Sequence, residues 1–156
     1  MLTDKIREIQ KEILNFKGVP IIVEGKKDEE ALKRLGFQNI VKISGKPLEK
    51  VFEEVSNFKS VVILSDFDEE GKKIFAKLRK LLSSNGIKVH TFLRNKIKST
   101  LKIKKIEEIN SLTKLMEDDY YGKTCSIYDK IFNRSRIFLR RDGGKTRRNR
   151  GNIRAN

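Results

Sequence analysis

The stretch that most constrains the fold is VVILSDFDEEG, residues 61–71. Its first five residues are almost all apolar and rich in β-branched side chains, which is typical of a strand covered on both faces. The strand ends at Asp66-Phe67-Asp68, and a helical pattern follows Gly71. Ligands of open α/β sheets bind at the edge formed by the carboxyl ends of the strands. We therefore expect a functional site at Asp66 and Asp68.

The chemistry of these two acids indicates a metal site. Neighbouring carboxylates repel each other unless a positive charge lies between them. Mg²⁺, or Mn²⁺ in its place, takes oxygen ligands, and one or two carboxylates with phosphate and water often hold Mg²⁺. Asp66 and Asp68 are thus candidate metal ligands. The alternative is an exposed acidic turn that caps the following helix.

A second short strand also ends in an acid. Residues 19–24, VPIIVE, are followed by Gly25 and a charged helical stretch. If this strand and the 61–65 strand are neighbours, Glu24 meets Asp66 and Asp68 at one edge of the sheet. A glutamate beside metal-binding aspartates suits phosphodiester chemistry, in which the metal stabilises phosphate charge and Glu24 moves a proton. Glu24 as a simple cap of the next helix is the alternative.

The two motifs together, a strand ending in Glu24-Gly25 and a strand followed by Asp66-x-Asp68-x-x-Gly71, resemble the Toprim domain. That domain occurs in topoisomerases, bacterial-type primases, OLD-type nucleases, a recombination-repair protein and the ribonuclease that matures 5S ribosomal RNA. The resemblance covers about residues 18 to 93. It implies that Glu24 is a general acid or base, also placed to support the metal, and that Asp66 and Asp68 bind Mg²⁺. Small stand-alone Toprim proteins of this kind occur in archaea.

Strands and helices alternate along the chain, which predicts an α/β fold with a parallel sheet and right-handed crossovers. We predict a Rossmann-like sheet of four strands in the order 2-1-3-4, partly from the Toprim resemblance. The predicted strands are residues 19–24, 39–43, 61–65 and 87–92. The predicted helices are residues 3–16, 28–35, a segment from 47 and 69–84, and a further helical pattern covers 106–116. Residues 93–104 are interpreted as a basic loop or an extra strand.

The net charge of +15 is concentrated in two blocks after the motifs. Residues 88–105 contain seven basic residues and no acidic one, and residues 133–156 contain nine basic residues against Asp142 alone. Such an uneven distribution of positive charge indicates that the protein binds nucleic acid. A membrane surface is the rival partner, but neither block has the apolar face that membrane binding needs. The candidate RNA-binding residues are Lys26, Lys27, Arg94, Lys96, Lys98, Lys102, Lys104, Lys105, Arg134, Arg136, Arg140, Arg141, Lys145, Arg147, Arg148, Arg150 and Arg154.

Three parts follow from these patterns: a Toprim-like α/β domain over residues 1–116, a connector over 117–132 and an Arg-rich tail over 133–156. Arginine-rich segments that fold upon RNA are a known mode of binding. Cys125 is the one cysteine, so no disulfide framework is expected and a reducing cytoplasm is the default. We expect no membrane span and no small-molecule cofactor beyond the metal.

Two functional hypotheses remain, with a weaker third. The first is a metal-dependent nuclease acting on structured RNA such as ribosomal RNA or its precursor. The second is a non-catalytic protein that binds ribosomal RNA or the ribosome through its tail. The third is a nuclease or accessory factor in DNA repair.

Overall fold

The computed structural model describes residues 1–115 and residue 117. Residues 1–115 belong to one compact unit, Met1–Met116. The helices are α1 (Leu2–Ile13), a 3₁₀ turn (Leu14–Phe16), α2 (Lys26–Leu35), α3 (Leu48–Val55), α4 (Glu69–Ser84) and α5 (Phe92–Leu101). The strands are β1 (Ile21–Val23), β2 (Ile40–Lys42), β3 (Ser60–Leu64) and β4 (Lys88–His90). Residues 108–115 are helical as well.

The four strands form one parallel sheet in the order β2-β1-β3-β4. Val23 pairs with Leu64, so β1 and β3 end at the same level. The predicted fold class and strand order are confirmed. The strands themselves are shorter than predicted: β1, β2 and β4 have three residues each.

Alternate side chains of the central strands enter two separate cores, one on each face of the sheet. On one face Ile21, Val23, Val62 and Leu64 pack in one cluster with buried residues of α1, α2 and α5. On the other face Ile22, Val61 and Ile63 pack in a second cluster with buried residues of α3 and α4. Burial on both faces explains why β1 and β3 have almost no polar residues.

Residues 93–104 were predicted as a basic loop or an extra strand, and that prediction is wrong. They lie mostly in α5, a ten-residue helix. The buried residues of this helix are Leu93, Arg94 and Ile97, while Lys98 is exposed. Lys102 then takes a left-handed conformation with φ of 55° and ends the helix. The chain turns there towards the carboxyl edge of the sheet.

Among the described residues, no helix combines the length and apolar character needed to cross a bilayer. The predicted connector, apart from Glu117, and the Arg-rich tail lie outside the described residues. The proposed division into domain, connector and tail stays a prediction.

Candidate active site

The sheet brings Glu24 and Asp66 together, although 42 positions separate them in the sequence. Glu24 follows β1 directly, and Ser65 and Asp66 follow β3. Because β1 and β3 are adjacent and end level, the Glu24 Oε1 atom accepts a hydrogen bond from the Asp66 N–H at 2.8 Å. The acid at the end of one strand thereby fixes the backbone at the end of the other.

A later segment clamps the same turn from the outside. The Ile106 N–H donates to Asp66 Oδ1 at 2.8 Å, and the Phe67 N–H donates to the Lys104 carbonyl at 2.8 Å. Phe67 is buried between Asp66 and Asp68. The site edge is therefore built from three stretches of chain: the ends of β1 and β3 and residues 104–106.

Asp68 begins α4. Its Oδ1 atom accepts a hydrogen bond from the Gly71 N–H at 2.8 Å, which makes Asp68 the N-cap of the helix. Gly71 lies so close to the turn that a Cβ atom there would come within 2.2 Å of the Asp66 carbonyl oxygen. Only glycine permits this approach of α4 to the turn. The capping alternative considered for this acidic turn thus holds for Asp68, and it leaves the second carboxylate oxygen available.

Arg94 lies beneath the turn rather than on the surface. It is 8% exposed, and its Nη2 atom donates to the Asp66 carbonyl at 2.7 Å. The guanidinium also lies over the rings of Phe67 and Phe75, at 4.6 and 4.8 Å from their centroids. Such contacts stabilise a desolvated cation. Arg94 therefore supports the turn from inside the protein.

The surroundings raise the pKa of two carboxylates of the site, Glu24 and Asp66. Burial raises the pKa of Glu24, the Asp66 N–H opposes this shift, and the charges of Asp66, Asp28 and Asp68 add to it. Burial likewise raises the pKa of Asp66, with the Ile106 N–H opposing and the Asp68 charge adding. Repulsion between acids is thus a component of both shifts, and a cation at this edge would relieve it.

The donor chemistry fits a hard divalent cation. One carboxylate oxygen of each of Glu24, Asp66 and Asp68 accepts a hydrogen bond from a backbone N–H. The other oxygen of each accepts no hydrogen bond from the described residues. Within the described part of the chain, no three acidic, histidine or cysteine side chains converge tightly enough to enclose a metal by themselves. Glu24, Asp66 and Asp68 are therefore not gathered into a set of three metal ligands, and a Mg²⁺ site here would use one or two of them with phosphate and water.

The prediction that Arg94 binds RNA needs correction, because its side chain is buried under the Asp66 turn. Lys96 forms an ion pair with Glu8 of α1. Lys27 lies 3.7 Å from Glu107. Exposed side chains are found at Lys26, Lys98, Lys102, Lys104 and Lys105. The predicted RNA-binding residues from Arg134 to Arg154 lie outside the described residues.

The sequence analysis missed Asp28 as a residue of the site and assigned Arg94 a different role. Asp28 is buried, accepts a hydrogen bond from the Gly25 N–H at 3.0 Å, and has a pKa raised by burial. An acid three positions after a helix-starting glycine is the capping signal that marks it. The helix that carries Arg94 could have been found from Leu93, Ile97 and Leu101, whose spacing of four indicates a helix with a buried side, but this spacing does not indicate that Arg94 itself is buried.

Comparison with known proteins agrees with this geometry. Residues 19–93 match the family model described as the Toprim domain. The chain therefore carries a Toprim domain, a class whose members process or bind nucleic acids and typically bind divalent metals.

Relatives then define the family more narrowly. A UPF0292 protein of Thermococcus sibiricus is 38% identical over 71% of this chain and 84% of its own length. A UPF0292 protein of Pyrococcus horikoshii is 40% identical over 71% of this chain and 80% of its own. A solved structure of a protein from Aquifex aeolicus has a TM-score of 0.59 and 34% identity, covering 69% of this chain and 97% of that one. The chain belongs to the UPF0292 family.

Proposed function

We propose that this protein is a metal-dependent nuclease that cleaves structured RNA, with ribosomal RNA or its precursor as the substrate. The observation that carries the proposal is the hydrogen bond between Glu24 and the backbone of Asp66. It places a proton-transfer group beside Asp66, one of the two candidate metal ligands, at the edge where α/β folds bind their ligands.

Glu24 is suited to proton transfer by its surroundings. Its Oε1 atom is held by the Asp66 N–H, so the side chain has a fixed position. Its Oε2 atom stays available to take or give a proton. Burial raises the pKa of Glu24, and a carboxyl pKa raised towards neutrality improves general acid or base catalysis.

Asp66 and Asp68 supply the metal ligands in this proposal. Each has one oxygen on a backbone N–H and one oxygen without a donor among the described residues. A bound Mg²⁺ or Mn²⁺ would provide positive charge to stabilise the phosphate. The backbone hydrogen bonds orient both carboxylates before any ligand arrives, which lowers the cost of organising the site.

The test is a Glu24→Gln variant assayed on a labelled precursor rRNA transcript with Mg²⁺. The amide oxygen of Gln still accepts from the Asp66 N–H, so the fold is kept while the proton-transfer group is lost. We expect cleavage to fall by about 10² to 10⁴-fold, with RNA affinity in the presence of chelator unchanged.

Glu53→Gln is the matched control, because Glu53 is exposed near the end of α3, and α3 begins at the carboxyl edge of the sheet and runs away from it. Equal cleavage by Glu24→Gln and wild type would eliminate Glu24 from catalysis. Cleavage of duplex DNA and not of RNA would favour the DNA repair hypothesis. If the wild-type protein cleaves neither RNA nor DNA in the presence of Mg²⁺ or Mn²⁺, the nuclease proposal is refuted.

The composition of residues 133–156 favours a second candidate, a non-catalytic protein bound to ribosomal RNA. Eight of the nine basic residues there are arginines, whose planar guanidinium binds phosphate through two hydrogen bonds and stacks on bases. Under this hypothesis, removal of residues 133–156 abolishes co-sedimentation with ribosomes, whereas Asp66→Asn or chelator leaves it unchanged. Co-sedimentation that survives the truncation would contradict it.

A further inference from the structure

Helix α4 carries a row of exposed cations that leads away from the acidic site. Five basic residues and no acidic one occur between Gly71 and Ser84. Lys73, Lys77 and Lys80 recur at intervals of four and three, so they form one stripe on the helix. All three are exposed. On the opposite side of α4, Gly71, Leu78 and Leu82 are buried.

These three lysines have no acidic partner among the described residues. Elsewhere in that part of the chain some lysines are paired with a glutamate, namely Lys27, Lys33, Lys42, Lys46, Lys50 and Lys96. Others there, such as Lys5, Lys11 and Lys59, have no ion pair either, so the regular spacing along one helix is what distinguishes the α4 lysines. On α4, Lys72 contacts Glu69 at 2.6 Å. The stripe is therefore a local excess of positive charge.

An unpaired stripe of like charges lowers the stability of a helix. Lysines at i,i+4 and i,i+3 repel each other, so Lys77 is repelled by both Lys73 and Lys80. Glu69 and Glu70, four and three positions before Lys73, offset the charge at the start of the stripe. No acidic residue of α4 lies within one turn of Lys77 or Lys80, so a bound anion would relieve the repulsion there. This arrangement is expected of a surface that binds an extended polyanion.

The position of the stripe relates it to the site. Asp68 caps α4, and at a rise of 1.5 Å per residue the lysines lie from about 7 to about 18 Å beyond Asp68 along the helix axis. A stripe of about 10 Å spans about three phosphates of one strand, because duplex DNA carries one charge per about 3.4 Å along each strand. A phosphate backbone lying on α4 is thus led towards Asp66 and Asp68.

The same face is poorly suited to a membrane. Surface helices that enter a bilayer place large apolar side chains beside their cations. The exposed large apolar residues of the described part are Met1, Leu14, Phe58, Phe92 and Leu115, and none of them is on α4. Ala76 and Ser83, exposed beside the lysines, are small.

We propose that Lys73, Lys77 and Lys80 form the surface that holds the phosphate backbone of an RNA duplex next to the acidic site. The inference rests on the proposed function of that site and extends it by naming the path of the substrate. Lysines act there as point charges on phosphate, so the surface confers affinity and direction without reading sequence.

The test compares two triple variants of the full chain: Lys73→Gln/Lys77→Gln/Lys80→Gln, and Lys5→Gln/Lys11→Gln/Lys59→Gln. The second set removes the same charge from exposed lysines outside α4. Binding of a fluorescent RNA hairpin is measured by anisotropy in chelator over a range of salt. Each lost phosphate contact reduces the magnitude of the slope of log affinity against log salt by about one. The slope of the α4 variant should therefore be smaller than that of the wild type by roughly two to three.

A second measurement distinguishes binding from stability. Lys77→Gln removes two repulsions at nearly equal helix propensity, so we expect the melting temperature to rise by about 1 to 2 °C while RNA affinity falls. A merely solvated lysine would leave affinity unchanged.

Equal slopes for the two triple variants would overturn the proposal. So would an α4 variant that loses binding to vesicles of anionic lipid and keeps its binding to RNA. Because binding is measured in chelator, it does not depend on cleavage. If the wild-type protein binds RNA through α4 but cleaves no substrate, the nuclease proposal is refuted and the α4 surface is not. Normal binding by the α4 variant together with cleavage sensitive to Glu24→Gln would refute the α4 surface alone.

Discussion

The carboxylate of Asp68 accepts a hydrogen bond from the backbone N–H of Gly71 at 2.8 Å, so one side chain both caps α4 and borders the acidic site. Two substitutions separate these roles. Asp68→Asn keeps a good N-cap and removes the charge, so we expect unchanged stability and weaker Mg²⁺ binding by calorimetry. Asp68→Ala loses the cap as well and should cost about 0.5 to 2 kcal/mol in urea unfolding. Wild-type Mg²⁺ affinity in Asp68→Asn would leave Asp68 with the capping role alone.

Substitution of Gly71 by alanine should destabilise the protein, the opposite of the usual effect of this substitution in a helix. In an ordinary helical position, Gly→Ala stabilises by about 1 kcal/mol. At Gly71 the new Cβ would meet three backbone atoms of Asp66 within 2.9 Å. Because the turn would have to shift, we expect the free energy of unfolding, measured in urea, to fall by about 1 to 3 kcal/mol. Ser83→Ala, on the exposed side of α4, is the control and should be neutral or slightly stabilising. A stabilised Gly71→Ala would contradict the observed close approach.

Arg94 should matter for stability more than a lysine on the same helix. Arg94→Gln removes the donor to the Asp66 carbonyl and both ring contacts. We expect the free energy of unfolding in urea to fall by about 1 to 3 kcal/mol. We also expect weaker Mg²⁺ binding by calorimetry, because the Asp66 turn loses its inner support. Lys98→Gln, exposed on α5, should leave both quantities unchanged. Equal effects of the two substitutions would show that Arg94 does not hold the turn.

Glu29 provides an acid-dependent contribution to stability. Hydrogen bonds from Lys33 and Lys42 lower the pKa of Glu29 from 4.5 to about 2. Because the folded pKa lies below the unfolded one, the stabilisation is present above about pH 4.5 and is lost as pH falls through about 2. The Glu29 side chain is 16% exposed, but its partners are 58% and 37% exposed, so solvent screening limits the contribution to about 1 kcal/mol.

The measurement compares unfolding of wild type and Glu29→Gln from pH 7 to pH 2. The difference in stability should be constant down to about pH 5 and should vanish near pH 2. Glu30→Gln, exposed on the same helix, should show no such convergence. A difference that persists unchanged at pH 2 would exclude the two ion pairs as its source.

Strand ends were predictable because their signal is local. The apolar run before Asp66 and the one before Glu24 each mark a buried strand, and the polar residues after them fall at the carboxyl edge by necessity. The strand order follows in part from the Toprim resemblance, and the structure confirms it. The meeting of Glu24 with the Asp66 backbone then follows from the adjacency of β1 and β3.

The support of the site was not predictable in the same way. Arg94 occurs in a run of basic residues, and such a run usually indicates a solvated surface. Its burial depends on Phe67 and Phe75, which come from separate elements and meet only in the folded chain. Likewise, nothing in the sequence near Ile106 indicates that its N–H would bind a carboxylate 40 positions earlier. Contacts of this kind are set by tertiary packing.

The clamp formed by residues 104–106 has a consequence for how this centre can be moved or made. Those residues lie outside the matched Toprim region, residues 19–93. A transplanted cassette of residues 19–93 would carry the strands and the acids into a new scaffold with Asp66 lacking the donor that orients it. During translation, too, the centre is finished only after residue 106 has left the ribosome and folded back onto the sheet.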